Sequence, residues 1–187
     1  MSDTCEIKGV AFHTFFQAIT ELRGAAAATL VRDALAPDLG ERLRRGAISR
    51  VGYYPLSEYG ELHAAAQRVL PGGESLAREI GRTATEIDTR GLLRFVLGLT
   101  SASFLMRHAD KAWSSYVRGS RVAVQEVEPQ RYIVDFEGLA GVSELVVIEL
   151  EGAIERLVQR TGARQPEVRH QARSAGKSVR YLVSWAA

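Results

Sequence analysis

The sequence predicts an α+β fold: an N-terminal helical bundle packed on a four-stranded antiparallel sheet, with the second half in β-β-α-β-β order. Three observations predict it. Apolar residues recur at spacings of three and four over most of the first 118 residues. After Gly119 the period falls to two, in one pair of short runs and again in a second pair near the C-terminus. Between the pairs lies one long amphipathic stretch, Gly141–Arg160. Runs of period two joined by short turns read as antiparallel hairpins. A sheet with one polar face and one helix-covered face accommodates all four.

Taken in order, Ile7–Ala11 is a short apolar lead that suits a small strand. Phe12, Phe15, Phe16, Ile19 and Leu22 recur at helical spacing, and Gly24 follows as a stop. Ala25–Leu35 is a second helix with Leu30, Val31, Ala34 and Leu35 as its apolar face, and Pro37 opens a third over Asp38–Arg45. Pro55 suits the start of a helix running to about Leu70, with Leu56, Tyr59, Leu62 and Ala66 inward. Pro71-Gly72-Gly73 is loop chemistry, and Glu74–Ile87 is helical again. Asp88 or Thr89 caps a further helix containing Leu92, Leu93, Val96 and Leu97. Ser101 or Ser103 starts the last helix of this half, continuous to about Arg118. Val122 and Val124 then alternate with polar neighbours, Glu126–Pro129 turns, and Tyr132, Val134 and Phe136 alternate. The long helix presents Val142, Leu145, Val146, Leu150, Ala153, Ile154, Leu157 and Val158 as one stripe. Glu144, Glu151, Glu155 and Arg156 are expected on its opposite, solvated side. Val168, His170 and Ala172 alternate, Ser174–Lys177 turns, and Val179, Tyr181, Val183 and Trp185 close the chain.

Composition bounds the function. The 187 residues are 46% hydrophobic and 25% charged, enough for a sizeable core and unlike a disordered chain. They are read as a single domain, 1–187, with a helical half to 118 and the β-β-α-β-β half beyond. A net charge of +2 gives no ground for a nucleic-acid partner. Arg42, Arg44, Arg45 and Arg50 cluster, as basic side chains do at a helix C-terminus. Cys5 is the only cysteine, which fits a reducing cytoplasm. The most apolar region, Gly91–Met106, is interrupted by Arg94 and falls short of the roughly 20 residues of a membrane span.

No catalytic or cofactor motif stands in the sequence. His13, His63, His108 and His170 show no metal-ligand spacing on one helix face. There is no nucleophile elbow and no phosphate-binding glycine loop. Asp135, Glu137, Glu144 and Glu149 could pair as acid and base, but solvated carboxylates near a helix N-terminus explain Glu137 and Glu144 more simply. The aromatic residues carry more information. Tyrosine and tryptophan join an apolar body to a polar tip, the combination that lines small-ligand pockets. The candidate ligand-binding set is Tyr54, Tyr59, His108, Trp113, Tyr116, Tyr132 and Phe136. No cofactor is expected.

Several features in order resemble a family of proteins of unknown function found mainly in myxobacteria, of about this length. They are Lys8-Gly9-Val10, the stretch Tyr53-Tyr54-Pro55-Leu56-Ser57-Glu58-Tyr59, Trp113 with Gly119, Gly152 in the long helix, and a closing strand ending in Trp185. That family is distantly similar to a superfamily that includes haem-based nitric-oxide-binding (H-NOX) proteins, 4-vinyl reductase-type sensor domains and Bet3-like subunits of the TRAPP tethering complex. The resemblance implies a small-molecule or acyl-chain pocket between helices and sheet, or a dimerising scaffold. The haem-binding members carry a Tyr-x-Ser-x-Arg motif, whereas Tyr116, Ser120 and Arg121 stand here at the wrong spacing. The cysteines of the sensor members are absent from Leu139–Leu150. The leading expectation is a non-enzymatic ligand-binding or regulatory domain in bacterial cytoplasmic signalling. The alternative is a protein-interaction scaffold, and a haem-based gas sensor stands third. A homodimer is expected, because Phe12–Leu35 and Leu92–Met106 carry more apolar residues than one inward stripe needs, with Phe95 the first interface candidate.

Overall fold

The structure, a computed structural model, describes residues 5–90, 98–139, 142–173 and 178–186, and the side chains of 172 and 173 are outside that description. The expected helix through Leu92–Leu97, the interface candidate Phe95 and the turn Ser174–Lys177 lie outside the described residues.

The chain opens with strand β1, Glu6–Lys8, at the centre of a small sheet. Its antiparallel neighbours are β2, Tyr53–Pro55, and β3, Val117–Arg118. Neither neighbour is foreseen from the sequence, because two or three residues are too few to display a period. Backbone bonds extend the joint: Leu56 N–H donates to the Cys5 carbonyl at 2.9 Å and Gly9 N–H to the Gly52 carbonyl at 2.8 Å.

Helix α1, Val10–Arg23, buries Phe12, Phe15, Phe16 and Ile19 and stops at Gly24, whose φ of 88° breaks the helix. Helix α2, Ala25–Asp33, buries Ala27, Ala28 and Val31. Leu30 is 53% exposed, so the expected apolar face is rotated toward the alanines, which let α2 lie close. Helix α3 is Pro37–Arg44, and α4, Leu56–Val69, begins on Pro55 as its spacing predicts. Helix α5 is Gly73–Asp88, starting within the expected loop. The expected continuous helix from Ser101 to Arg118 is two helices, α6, Ala102–Arg107, and α7, Ala109–Tyr116. They break at His108, whose φ of −115° is not helical, and residues 117 and 118 leave to join β1.

The larger sheet contains β4, Arg121–Glu128; β5, Arg131–Glu137; β6, Arg164–Arg173; and β7, Ser178–Ala186, in the order β4-β5-β7-β6, all antiparallel. Its inner face is set by register. Tyr132 stands between Glu126 and Val183, Val134 between Val124 and Tyr181, and Phe136 between Val122 and Val179.

Helix α8, Glu144–Arg160, covers that face after an N-cap in which Ser143 Oγ accepts from Val146 N–H at 3.4 Å. On its other side it packs along α5. The two backbones cross at Gly81 and Gly152. A Cβ on Gly81 would fall well inside 3.0 Å of the Glu149 carbonyl oxygen, and one on Gly152 equally close to that of Arg78. A helix covered by the sheet on one side and by α5 on the other has no wide solvated face. The expectation that Glu151 and Glu155 point to solvent is therefore corrected: Glu149, Glu151 and Glu155 are all buried, at 8%, 3% and 8% exposure. Glu151 and Glu155 can be buried there because arginines meet them, and Glu149 because Tyr59 and His63 do. Arg78 bonds Glu151, and reaches Glu155 at 2.5 Å, with Arg82 on Glu155 at 2.6 Å.

Candidate functional site

Between α6–α7 and the inner face of β4–β5 lies a cleft of about 260 Å³. Ser101 caps α6, its Oγ accepting from Phe104 N–H at 3.1 Å. The break at His108 is held by a 2.9 Å bond between its Nδ1 and the Phe104 carbonyl, and the ring stacks on Phe104. It lets α7 swing along β4 and set the Trp113 ring edge-on against Phe136, 4.7 Å between centroids. No residue of α7 is fully buried, so the helix bridges the sheet without filling the space under its first turn. Val122 and Val124 give that space apolar walls, Tyr132 its inner end, and Arg107, Asp110 and Glu126 a charged rim.

Tyr132 is the chemically distinctive member. It is 2% exposed, its ring stacks parallel on Trp185 at 5.3 Å, and its hydroxyl, fully shielded, has no hydrogen-bond partner among the described residues. A buried hydroxyl left unpaired costs about 1–3 kcal/mol. At the rim, Arg107 Nε is 3.9 Å from Glu126, a loose exposed pair that a polar ligand edge can displace. The cleft thus offers apolar walls, the ring of Tyr132 with its shielded, unpartnered hydroxyl, and ionic groups at its mouth.

The other candidates scatter. Tyr54 accepts from Ser49 N–H at 2.7 Å and pins the loop after α3. Tyr59 donates to Glu149 at 2.6 Å. Tyr116 donates to Asp88 at 3.0 Å, and Thr14 donates to the same carboxylate at 2.9 Å. Trp113 donates to Ser120 at 3.1 Å, and Phe136 is buried between Trp113 and Tyr181. Of the seven, only Tyr132 lines the cleft, with Trp113 and Phe136 beside it in the core. His108 supports the cleft from the break between α6 and α7. Tyr54 and Tyr116 satisfy their polar tips inside the helical half, and Tyr59 does so on Glu149 of α8. Arg107 and Asp110 were not among the expected site residues; their place about two turns and one turn ahead of Trp113 was the available signal.

A second polar group runs along α8. Glu149 receives Tyr59 and lies 2.8 Å from His63 Nε2, which packs edge-on under Phe15 at 4.9 Å. Burial, with the Glu149 charge beside it, holds the Tyr59 phenol well above its ordinary pKa. Glu151 takes the His170 backbone N–H at 2.7 Å and the His170 ring at 2.8 Å. A carboxylate beside an imidazole is general-base chemistry, but neither Glu149 nor His63 lines a described cavity. Among the described residues no three His, Cys, Asp or Glu converge as a metal site, and no helix is long and apolar enough to cross a membrane.

Comparison with known proteins gives a consistent picture. The family model described as "Protein of unknown function (DUF2378)" matches residues 15–186. No curated protein matches the sequence. Solved structures do. An Fe(II) unliganded H-NOX protein mutant from K. algicida superposes with a TM-score of 0.71 at 12% identity, covering 97% of each chain. An oxygen-binding H-NOX domain related to soluble guanylate cyclases gives 0.68 at 14%, covering 97% of this chain and 96% of that one. A mutant of the T. Tengcongensis H-NOX gives 0.66 at 12%, covering 97% and 98%. At these identities the likeness concerns the fold: this chain has an H-NOX-like α+β architecture from end to end.

Proposed function

For a chain that belongs to the family of unknown function spanning residues 15–186, we propose a non-enzymatic sensor domain that binds a compact small molecule between α6–α7 and the sheet. The observation that carries this reading is the unpartnered, shielded hydroxyl of Tyr132, a residue that lines the cleft. Native proteins pair their buried polar groups almost without exception. In this reading a ligand seated against the Tyr132 ring reaches that shielded hydroxyl and accepts a hydrogen bond from it. The H-NOX-like neighbours include an oxygen-binding domain related to soluble guanylate cyclases, which supports reading this fold as one that holds a small ligand.

Haem does not fit the residues present. Among the described lining residues none is His, Cys or Met. Tyr132 could in principle ligate ferric iron. Its cleft, at about 260 Å³, is at or below the lower end of the roughly 300–1,000 Å³ of ordinary ligand pockets. Propionates call for cations, and the rim sets the carboxylates of Asp110 and Glu126 against a single Arg107. The ligand in this reading is smaller: an apolar body bearing one hydrogen-bond acceptor for Tyr132 and a polar edge for the rim. A cytoplasmic setting belongs to the same reading.

Native mass spectrometry of the protein as purified tests it. The expected result is a bound organic compound on the wild type that is absent from Val124→Trp, in which the cleft is filled. A bare chain in both would contradict the reading. The scaffold alternative draws on Leu99 and Phe104, 75% and 54% exposed on one segment; a dimer mass with no bound compound favours it.

A further inference from the structure

A second cavity, of about 360 Å³, lies in the corner of α1, α2 and α3, within the volume range of ordinary small-ligand sites, roughly 300–1,000 Å³. It is lined by His13 and Phe16 of α1, Arg32 of α2, and Leu43 and Arg44 of α3. No acidic side chain is among the lining residues. This is the corner to which the arginine cluster of the sequence contributes, and the structure separates its members. Arg42 is taken by Glu58 at 2.9 Å, and Arg44 and Arg45 share Glu41 at 2.8 and 2.5 Å. Arg32, from outside the cluster, has no carboxylate partner among the described residues. Its guanidinium instead lies over the ring of the buried Phe16, 4.7 Å from the centroid. Stacking of this kind holds the guanidinium plane in place while leaving its edge donors unused.

The remaining groups frame it. His13 Nε2 donates to the Ile48 carbonyl at 2.7 Å, which fixes the ring beside the cavity. Arg44 contributes a second guanidinium, already partly neutralised by Glu41. Leu43 and Phe16 give the cavity an apolar floor. We propose that this corner is a binding site for a small organic anion whose oxyanion group, a carboxylate or a phosphate, is held by the Arg32 fork while its apolar body rests on Phe16 and Leu43. An arginine pre-oriented by an aromatic ring suits planar, bidentate recognition of such groups. The site is separate from the cleft at Tyr132 and does not depend on it.

The test is an NMR titration of the isotope-labelled full chain at constant ionic strength, with benzoate, acetate and inorganic phosphate as probes, following the Arg32 Nε–H and His13 ring signals. The expected result is saturable shifts at both residues, with benzoate binding more tightly than acetate because of the apolar floor. Arg32→Ala is expected to weaken benzoate at least tenfold. Saturation by phosphate with little response to benzoate assigns the site to the phosphate source; the reverse assigns it to a carboxylate. Shifts that stay linear with every probe overturn the proposal, as does an unchanged affinity in Arg32→Ala. Should that variant fail to fold, Arg32→Lys keeps the charge and stem but loses the fork. It is expected to weaken binding severalfold, and unchanged affinity there overturns the proposal equally.

Discussion

At the scale of single residues, Gly152 and the carboxylates around it show where the sequence was readable and where it was not. The apolar positions of α8 follow the helical period, and Ile154 and Val158 are buried as that period requires. Glu149, Glu151 and Glu155 are buried as well, and no periodicity rule places a carboxylate in a core. The legible clue was small rather than charged: Gly81 lies between Arg78 and Arg82, and Gly152 follows Glu151, marking a crossing at which two backbones touch and arginines meet glutamates. The energetic consequence can be measured. In Gly152→Ala the added methyl meets the Arg78 carbonyl, a backbone atom that cannot swing aside. Overpacking usually costs about 1–3 kcal/mol, and a backbone clash belongs at or above the top of that range. Denaturant unfolding of Gly152→Ala is expected to show a loss of about 3 kcal/mol or more. A change within experimental error would mean that the helices do not cross there.

At the scale of elements, the four strands of the larger sheet were legible because each is long enough to alternate. In the small sheet, β1 overlaps the expected strand at Ile7–Ala11, but β2 and β3, of three and two residues, were not legible. The break at His108 was equally invisible, since both flanking segments keep helical spacing. Helix α8 is tied to β6 by His170, whose ring meets Glu151 at 2.8 Å and Glu144 at 2.7 Å. Burial alone would lower the His170 pKa, but the hydrogen bonds to Glu151 and Glu144 raise it on balance above 6.5. A raised value in the folded state means that folding favours the protonated ring. The contribution to stability is therefore full below about pH 6.5 and is lost as pH rises through the folded value. The melting temperature of wild type is expected to exceed that of His170→Gln by more at about pH 5.5 than at about pH 8. An advantage independent of pH would remove the ionic part of this tie. Strand β7 is the other structural anchor, central in the sheet between β5 and β6, with Tyr181 donating to the Val147 carbonyl of α8 at 3.0 Å. Ending the chain before Ser178 is expected to abolish the cooperative melt, because β5, β6 and α8 all lose their shared partner. A truncated chain that melts near the full-length temperature would contradict the strand order.

At the scale of the whole molecule, we propose that both halves unfold together. The small sheet joins the first strand of the chain to residues directly before β4, and α5 and α8 join the halves through their crossing. A calorimetric enthalpy equal to the van't Hoff enthalpy is expected, and two separated transitions would contradict it. The lining of the cleft at Tyr132 further predicts a colourless protein. A Soret band that vanishes in Tyr132→Phe would restore the haem reading. The fold class was legible because period, turns and length agree over long stretches. The cleft was not, apart from Tyr132, because it forms where α7 fails to fill the space above β4, and incomplete packing leaves no mark on a sequence. The measurement that bears most directly on a ligand at Tyr132 is thermal stability of wild type and Tyr132→Phe, each as purified and again after unfolding and refolding free of small molecules. Stripped of ligand, Tyr132→Phe should equal or exceed wild type by about 1 kcal/mol, because an unpaired buried hydroxyl is gone. As purified, the order should reverse, since wild type alone retains the bond to its ligand. The same order under both conditions would contradict a ligand at Tyr132.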